Sequence, residues 1–129
     1  MPIQIVVAGA LISGGALLVA QRATPPALAG LWELPGGKVA AGETDGDALA
    51  RELREELGVE VAVGARIGED VALTSAMTLR AYLVTQTGGT LHPLEHRALR
   101  WLRPEELHGL PWVPADTAWL PHLAAALLG

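Results

Sequence analysis

Residues 36–59 read GGKVAAGETDGDALARELREELGV, and the phase of the leucines and charges in this stretch decides how the rest of the chain is arranged. At about 100° per residue, Leu49, Leu53 and Leu57 make one stripe, and Glu52, Glu55 and Glu56 share an arc beside it. The spacing predicts a helix over about 45–57, with Thr44 as N-cap, Asp47 three residues on in a variant of the capping box, and Gly58 as a left-handed C-cap. The leucines then bury against a sheet while three carboxylates point together into one space. Like charges at these spacings destabilise a helix by roughly a few tenths of a kcal/mol each, and Arg51 offsets only part of that, through Glu55 four residues on. A solvated acidic face is the ordinary outcome for such a trio. The other outcome is a Mg²⁺ site, since that ion takes oxygen ligands and a few carboxylates beside substrate phosphates. Pro35-Gly36-Gly37-Lys38 reads as a turn whose glycines let the backbone approach a ligand, and Lys38 can meet a phosphate as a point charge.

Upstream, no charged side chain occurs from Met1 to Gln21. Its length would suffice for a membrane span, and Ala8-Gly9-Ala10 has the look of a signal-peptidase site. Against both, no Lys or Arg precedes the apolar run, and Ser13-Gly14-Gly15 breaks it with a turn signal. Ile3, Ile5 and Val7 alternate with Val6 and Ala8, as in a strand packed on both faces. The expectation is a buried hairpin, strands about 2–11 and 16–22, followed by a loop at Thr24-Pro25-Pro26 and a short extended piece at Trp32-Glu33-Leu34. Downstream, strands are expected at about 60–72, 77–87 and 98–102. A helical turn opens at Pro104, and a last helix spans about 116–128, with Pro121 near its first turns allowing a later start. Strands on both sides of a central helix, with another helix last, argue for a mixed sheet covered by helices.

The length of 129 residues suits one domain over 1–129. Half the residues are apolar, which excludes disorder. With no cysteine there is no disulfide scaffold, zinc-thiolate site or thiol nucleophile, and a reducing cytoplasm suits the chain. Nine Lys+Arg against fourteen Asp+Glu, a formal charge of −5, argue against a nucleic-acid polymer as partner. A small ligand is expected, with no membrane, on a monomer.

Gly37, five residues, Glu43, seven residues, then Arg51-Glu52-Leu53-Arg54-Glu55-Glu56-Leu57-Gly58-Val59 matches every position of the Nudix box. The placement of the box, the hairpin before it and Trp101-Leu102-Arg103-Pro104-Glu105-Glu106-Leu107 after it resemble the MutT-type branch, and the whole chain most resembles its CTP/dCTP pyrophosphohydrolases. The resemblance implies an α+β fold, an α/β/α sandwich with a mixed sheet between helices. It also implies Mg²⁺-dependent (Mn²⁺ as a possible substitute) conversion of a CTP/dCTP-type nucleotide, including 5-methyl-dCTP, to monophosphate and pyrophosphate in sanitation of the nucleotide pool. By the same resemblance Glu52, Glu55 and Glu56 fall on metal-ligand and base positions, the Gly36 carbonyl matches an added ligand, and Glu43 supports the box. Arg51 is expected to orient the Glu55 carboxylate.

The substrate must be read outside the box. Glu95, six residues before Trp101, matches a further metal-site carboxylate of MutT-type proteins; the alternative is a loop charge beside His96 and Arg97. Arg22 ends a strand and either reaches a phosphate or sits in solvent. Asp116 lies fifteen residues after Trp101, where guanine-selecting MutT-type enzymes place an asparagine. An ionised Asp only accepts, which complements the cytosine N4 amine and repels guanine O6. Its alternative is a helix N-cap. Glu33 is a substrate-binding candidate, flanked by Trp32 and Leu34, of which one face could stack on a base and at least one packs in the core. His92, His96, His108 and His122 show no ligand spacing and are expected at the surface or in loops. The rival activities are an 8-oxo-dGTP diphosphatase and, in another class, a non-catalytic nucleotide sensor. The resemblance also disfavours ADP-ribose cleavage, since that group usually has a proline some fifteen residues beyond the box and here none occurs between Pro35 and Pro93.

Overall fold

The computed structural model describes residues 2–129. The charge-free start is indeed a hairpin: β1 (Gln4–Ser13) and β2 (Ala16–Gln21) are joined at Gly14 and Gly15, both at positive φ, where glycine is the residue least strained. Alternation along β1 divides its side chains as its pattern predicts. Ile5, Val7 and Leu11 pack on one side of the sheet, and Val6, Ala8, Ala10 and Ile12 on the other. No helix among the described residues is long and apolar enough to cross a membrane.

β1 is the spine of a mixed sheet. On one edge it runs parallel to β6 (Met77–Gly89), which pairs antiparallel with β5 (Val59–Thr74). Its other edge is shared: Val6–Ala8 pair with β4 (Gly36–Lys38), and Ile12 and Ser13 with β2. β2 in turn carries β3 (Trp32–Glu33) and β7 (Ala98–Leu102) on its two edges. The Pro35–Lys38 segment expected as a turn is therefore a strand from Gly36 onward, because its amides and carbonyls find partners on β1.

Helix α1 (Asp45–Leu57) covers one face, with Leu49, Leu53 and Leu57 fully buried against Val7, Leu11, Leu18 and Val84. The other face is covered by 3-10 turns at Pro104–Gly109 and Pro114–Trp119 and by α2 (Leu120–Leu128), through Leu107, Trp112, Trp119 and Leu123. The final α-helix thus begins at Leu120 rather than near 116. Pro121 sits in its first turn, where no amide is needed, and the preceding residues keep the tighter 3-10 pairing. The layers are helix, mixed sheet, helix.

Candidate active site

The box helix starts and stops as its residues predict. Thr44 Oγ1 accepts the Asp47 amide at 3.1 Å, and Gly58, at φ 73°, caps the C-terminus with its N–H on the Arg54 carbonyl. No return bond from the Asp47 side chain occurs among the described residues, so the capping box is half made. Around the helix the three carboxylates part company: Glu56 is buried, Glu52 half-buried and Glu55 exposed.

Arg51 gathers the rest of the box. Its Nε and Nη2 donate to the two Glu43 oxygens at 2.7 and 2.8 Å, its Nη1 to Glu52 Oε1 at 2.9 Å, and its Nη2 also to the Lys38 carbonyl at 3.1 Å. The Glu55 contact read from the i,i+4 spacing is present at 3.3 Å, longer than the salt bridges to Glu43 and Glu52, and it is solvent-exposed. Arg51 is better described as the brace of Glu52 and Glu43. A planar fork meeting a carboxylate through two bonds holds geometry that a point charge does not. The guanidinium, then the Ala40 amide, pull the Glu43 carboxyl down to about 2.

The glycines make room for groups of the protein itself, backbone at Gly36 and a side chain at Gly37. A Cβ at Gly36 would strike the Val7 carbonyl across the β4–β1 pairing, and one at Gly37 would strike the Glu52 carboxylate. Gly37 is therefore needed because Glu52 lies directly over it.

A cavity of about 630 Å³ opens between β1, β3, β4 and the carboxylate face of α1. Arg22, Glu33, Gly36, Gly37, Lys38, Glu52, Glu56, Glu95 and Asp116 all border it, so nearly every candidate from the sequence meets in one place. Arg51, Glu43 and Glu55 do not border it, Glu55 being exposed, and Gly58 belongs to the helix cap. Leu28, Leu34, Leu73 and Met77 supply an apolar side. Leu34 also lies in the core, and Trp32 packs partly buried against it without bordering the cavity.

Glu56 is the group least at ease there. Its Oε2 is buried with no hydrogen-bond partner among the described residues. Burial, and then the charges of Glu52, Glu33 and Glu95, push its carboxyl up to about 9, partly opposed by the Gly36 amide. No three acidic or imidazole side chains among the described residues converge tightly enough to cage an ion. Mg²⁺ rarely uses such a cage: it keeps several waters and takes one or two carboxylates beside phosphates. An orphaned carboxylate oxygen in a field of like charges, beside Glu52 and the Gly36 backbone, fits that donor set.

At the other end, Asp116 is 4% exposed and its Oδ2 accepts the Leu34 amide at 2.8 Å. It does not cap a helix: Val113 holds the cap position of the 3-10 turn, and Asp116 lies inside it. No hydrogen bond among the described residues uses its Oδ1. Burial pushes its carboxyl up to about 7, against the pull of the Leu34 amide.

Between the two ends, Glu33 accepts Arg22 Nη1 on Oε1 at 2.9 Å and faces His96 Nε2 across 3.0 Å on Oε2. Arg22 Nε also donates to the Thr24 carbonyl at 2.8 Å. The histidines sit where expected, His92, His108 and His122 exposed and His96 in the loop before β7, but the His96 side chain is only 7% exposed and borders the cavity. Only its place two residues before β7, the strand that flanks β2 opposite β3, hints at this in the sequence.

Residues 3–123 match the NUDIX domain model. A Mycobacterium tuberculosis protein provisionally named 8-oxo-dGTP diphosphatase 2 is 60% identical, over 98% of this chain and 92% of its own length. The CTP pyrophosphohydrolase of Escherichia coli K12 is 44% identical, over 86% of this chain and 84% of its own. Among solved structures, that of MutT from Aliivibrio salmonicida and Vibrio cholerae superposes with a TM-score of 0.79 at 26% identity, covering 95% of this chain and 96% of that one.

Proposed function

The chain belongs to the Nudix family as a hydrolase of the MutT type, and on that footing we propose that it converts cytosine nucleoside triphosphates, 5-methyl-dCTP included, to the monophosphate and pyrophosphate. Nudix hydrolases act on small nucleotide-type substrates and generally use a divalent metal. The observation that carries the choice of base is Asp116: buried at the cavity wall, with Oδ2 pinned by the Leu34 amide and Oδ1 left over as an acceptor. An acceptor there complements the N4 amine of cytosine.

In this reading Glu52, Glu56, Glu95 and the Gly36 carbonyl would hold Mg²⁺ (or Mn²⁺ in its place) from the cavity wall, and Glu55 would join them from its exposed position on the same helix. When bound, the ion lowers the pKa of water and neutralises charge on the phosphoryl oxygens. Lys38 and Arg22 meet the phosphates as cations, Arg22 being aimed by Glu33. Glu52, braced by Arg51, takes the proton of the water that attacks the β-phosphorus, and Glu43 fixes Arg51. The apolar side chains of Leu34, Leu73 and Met77 exclude water around the base. Residues 1–129 act as one domain, a monomer in the cytoplasm with no polymer or membrane partner, clearing non-standard nucleotides from the pool.

Hydrolysis in ¹⁸O-labelled water tests the chemistry: label is expected in pyrophosphate, and label in the monophosphate contradicts attack at the β-phosphorus. A panel of nucleoside triphosphates tests the base, with kcat/KM expected to be highest for dCTP or 5-methyl-dCTP. A second reading, 8-oxo-dGTP hydrolysis, is favoured by the name of the mycobacterial relative and by the raised Asp116 carboxyl, since a protonated Oδ1 can donate to a carbonyl of an oxidised guanine.

A further inference from the structure

We infer that Leu73 and Met77, at the end of the β5–β6 hairpin, form the surface against which the flat face of the nucleobase lies. The inference deepens the nucleotide reading above and rests on it for the class of occupant: Asp116 addresses the edge of the base, and this pair takes its face.

Along the β5–β6 ladder Ala72 pairs with Thr78, but Thr74 pairs with Met77, so two steps on β5 are matched by one on β6 and Leu73 is the extra residue of a β-bulge. Bulges re-aim side chains and are over-represented beside active sites. A lone exposed leucine says little. Of the large apolar side chains left exposed among the described residues, however, Leu73 alone borders the cavity, at 39% exposure. Met77 borders it as well, with Leu79 two residues on along the same face of β6. The hairpin end is held in place. Val71 and Leu79 pair across the ladder and pack into the core, the Gln4 amide donates to the Ala76 carbonyl at 2.8 Å, and the Ala76 amide donates to Thr74 Oγ1 at 3.0 Å. A surface already ordered loses little entropy when a ligand covers it. Bases commonly lie on aromatic rings, yet among the described residues no tryptophan or tyrosine borders this cavity, and the chain has no phenylalanine. Aliphatic carbon and a thioether take that place here, and sulfur makes favourable contacts with aromatic systems. Every base has such a face, so the contact strengthens binding without choosing among bases.

Leu73→Asn and Met77→Gln make this surface polar at nearly constant size, and Met77→Leu keeps it apolar. The test uses whichever nucleoside triphosphate the wild type turns over best, so a preference for another base contradicts the cytosine reading and leaves this test intact. Leu73→Asn and Met77→Gln are each expected to raise its KM about tenfold, and Met77→Leu to keep it within about twofold. The Ki of inorganic tripolyphosphate, which has no base, is expected to stay at its wild-type value in all three. The kcat/KM ratio between that nucleotide and one carrying a second base is expected to change by less than about twofold, because a face contact does not read the edge. A KM that stays put in Leu73→Asn and Met77→Gln, a tripolyphosphate Ki that rises in step with KM, or a base ratio that moves about tenfold overturns the proposal. Met1 and Met77 are the only methionines, so ¹³C-methyl labelling of methionine gives two signals, which Met77→Leu assigns. Saturation with the α,β-methylene analogue of that nucleotide is expected to move the Met77 methyl upfield through the ring current of the base, while tripolyphosphate leaves it in place. A Met77 methyl that the bound analogue does not move overturns the proposal independently of the kinetics.

Discussion

The backbone amide of Leu34 donates to the carboxylate of Asp116 at 2.8 Å, across 82 residues of sequence. That bond fixes which Asp116 oxygen is left for a ligand, and with it the electronic character of the cavity's inner end. Because Oδ2 must accept, any proton on this carboxyl sits on Oδ1.

The first prediction follows from that proton. Burial raises the Asp116 carboxyl to about 7, so Oδ1 is an acceptor above that pH and a donor below it. Selectivity for dCTP over 8-oxo-dGTP is expected to rise by up to roughly a hundredfold between pH 6 and pH 8, since the ionised-to-protonated ratio changes by that factor around a pKa of about 7. Asp116→Asn should flatten this dependence, which pH profiles of the two kcat/KM values check.

Stability without ligand should carry the same signature. A carboxyl whose folded pKa lies above its unfolded value binds the extra proton in the native state, so its neutral form favours folding at low pH. That advantage is lost as pH rises from about 4 through 7, at a cost of up to a few kcal/mol. The Tm of Asp116→Asn relative to wild type is therefore expected to climb from pH 5 to pH 8. A constant difference would show that Asp116 is not held neutral by burial.

Much of this arrangement is legible in the sequence, and the reason for the remainder is distance along the chain. The helix over Asp45–Leu57, its Thr44 and Gly58 ends and the β1–β2 hairpin follow from side-chain periodicity and turn residues, which act within a few positions. The box candidates Glu52 and Glu56 are phased by that same helix. Gly36–Lys38 reads as a turn because two glycines carry no pattern; only pairing with β1 makes it a strand. Asp116 reads equally well as a cap until Trp32 pairs with residues 111–113 and brings Leu34 over it. For His96 the only signal of burial is its place two residues before β7, whose position beside β2 depends on pairing distant in sequence. The Arg51 spacing points to Glu55, yet the loop before the helix returns Glu43 to Arg51 at closer range.

Glu56 supplies a prediction about metal. Its carboxyl is held up near 9 by burial and neighbouring charges, and a ligand carboxylate must be ionised. Mg²⁺ binding at pH 7 should therefore release a proton and tighten as pH rises. Calorimetry in buffers of different ionisation enthalpy measures this. Glu56→Gln should abolish the proton release and weaken binding at least tenfold.

At Gly37 a Cβ would collide with the Glu52 carboxylate. Gly37→Ala is expected to lower kcat at least tenfold by displacing Glu52, with only a small change in Tm because β4 is short and half-exposed. Full activity in this variant would remove Glu52 from its assigned position.

Arg51→Lys replaces a fork by a point charge and cannot hold Glu43 and Glu52 together. Since Arg51 stands outside the cavity, the loss should fall on kcat, about tenfold or more, with KM nearly unchanged. Glu52→Gln should abolish turnover while leaving the fold intact, which circular dichroism and pyrophosphate release report together.

The most direct test of the central claim is the ratio of kcat/KM for dCTP to that for 8-oxo-dGTP, measured at pH 8 with Mg²⁺ in wild type and in Asp116→Asn. A ratio above one in wild type that falls at least tenfold in Asp116→Asn is the predicted result. A wild-type ratio below one, or a ratio the substitution leaves unchanged, contradicts a cytosine-reading Asp116.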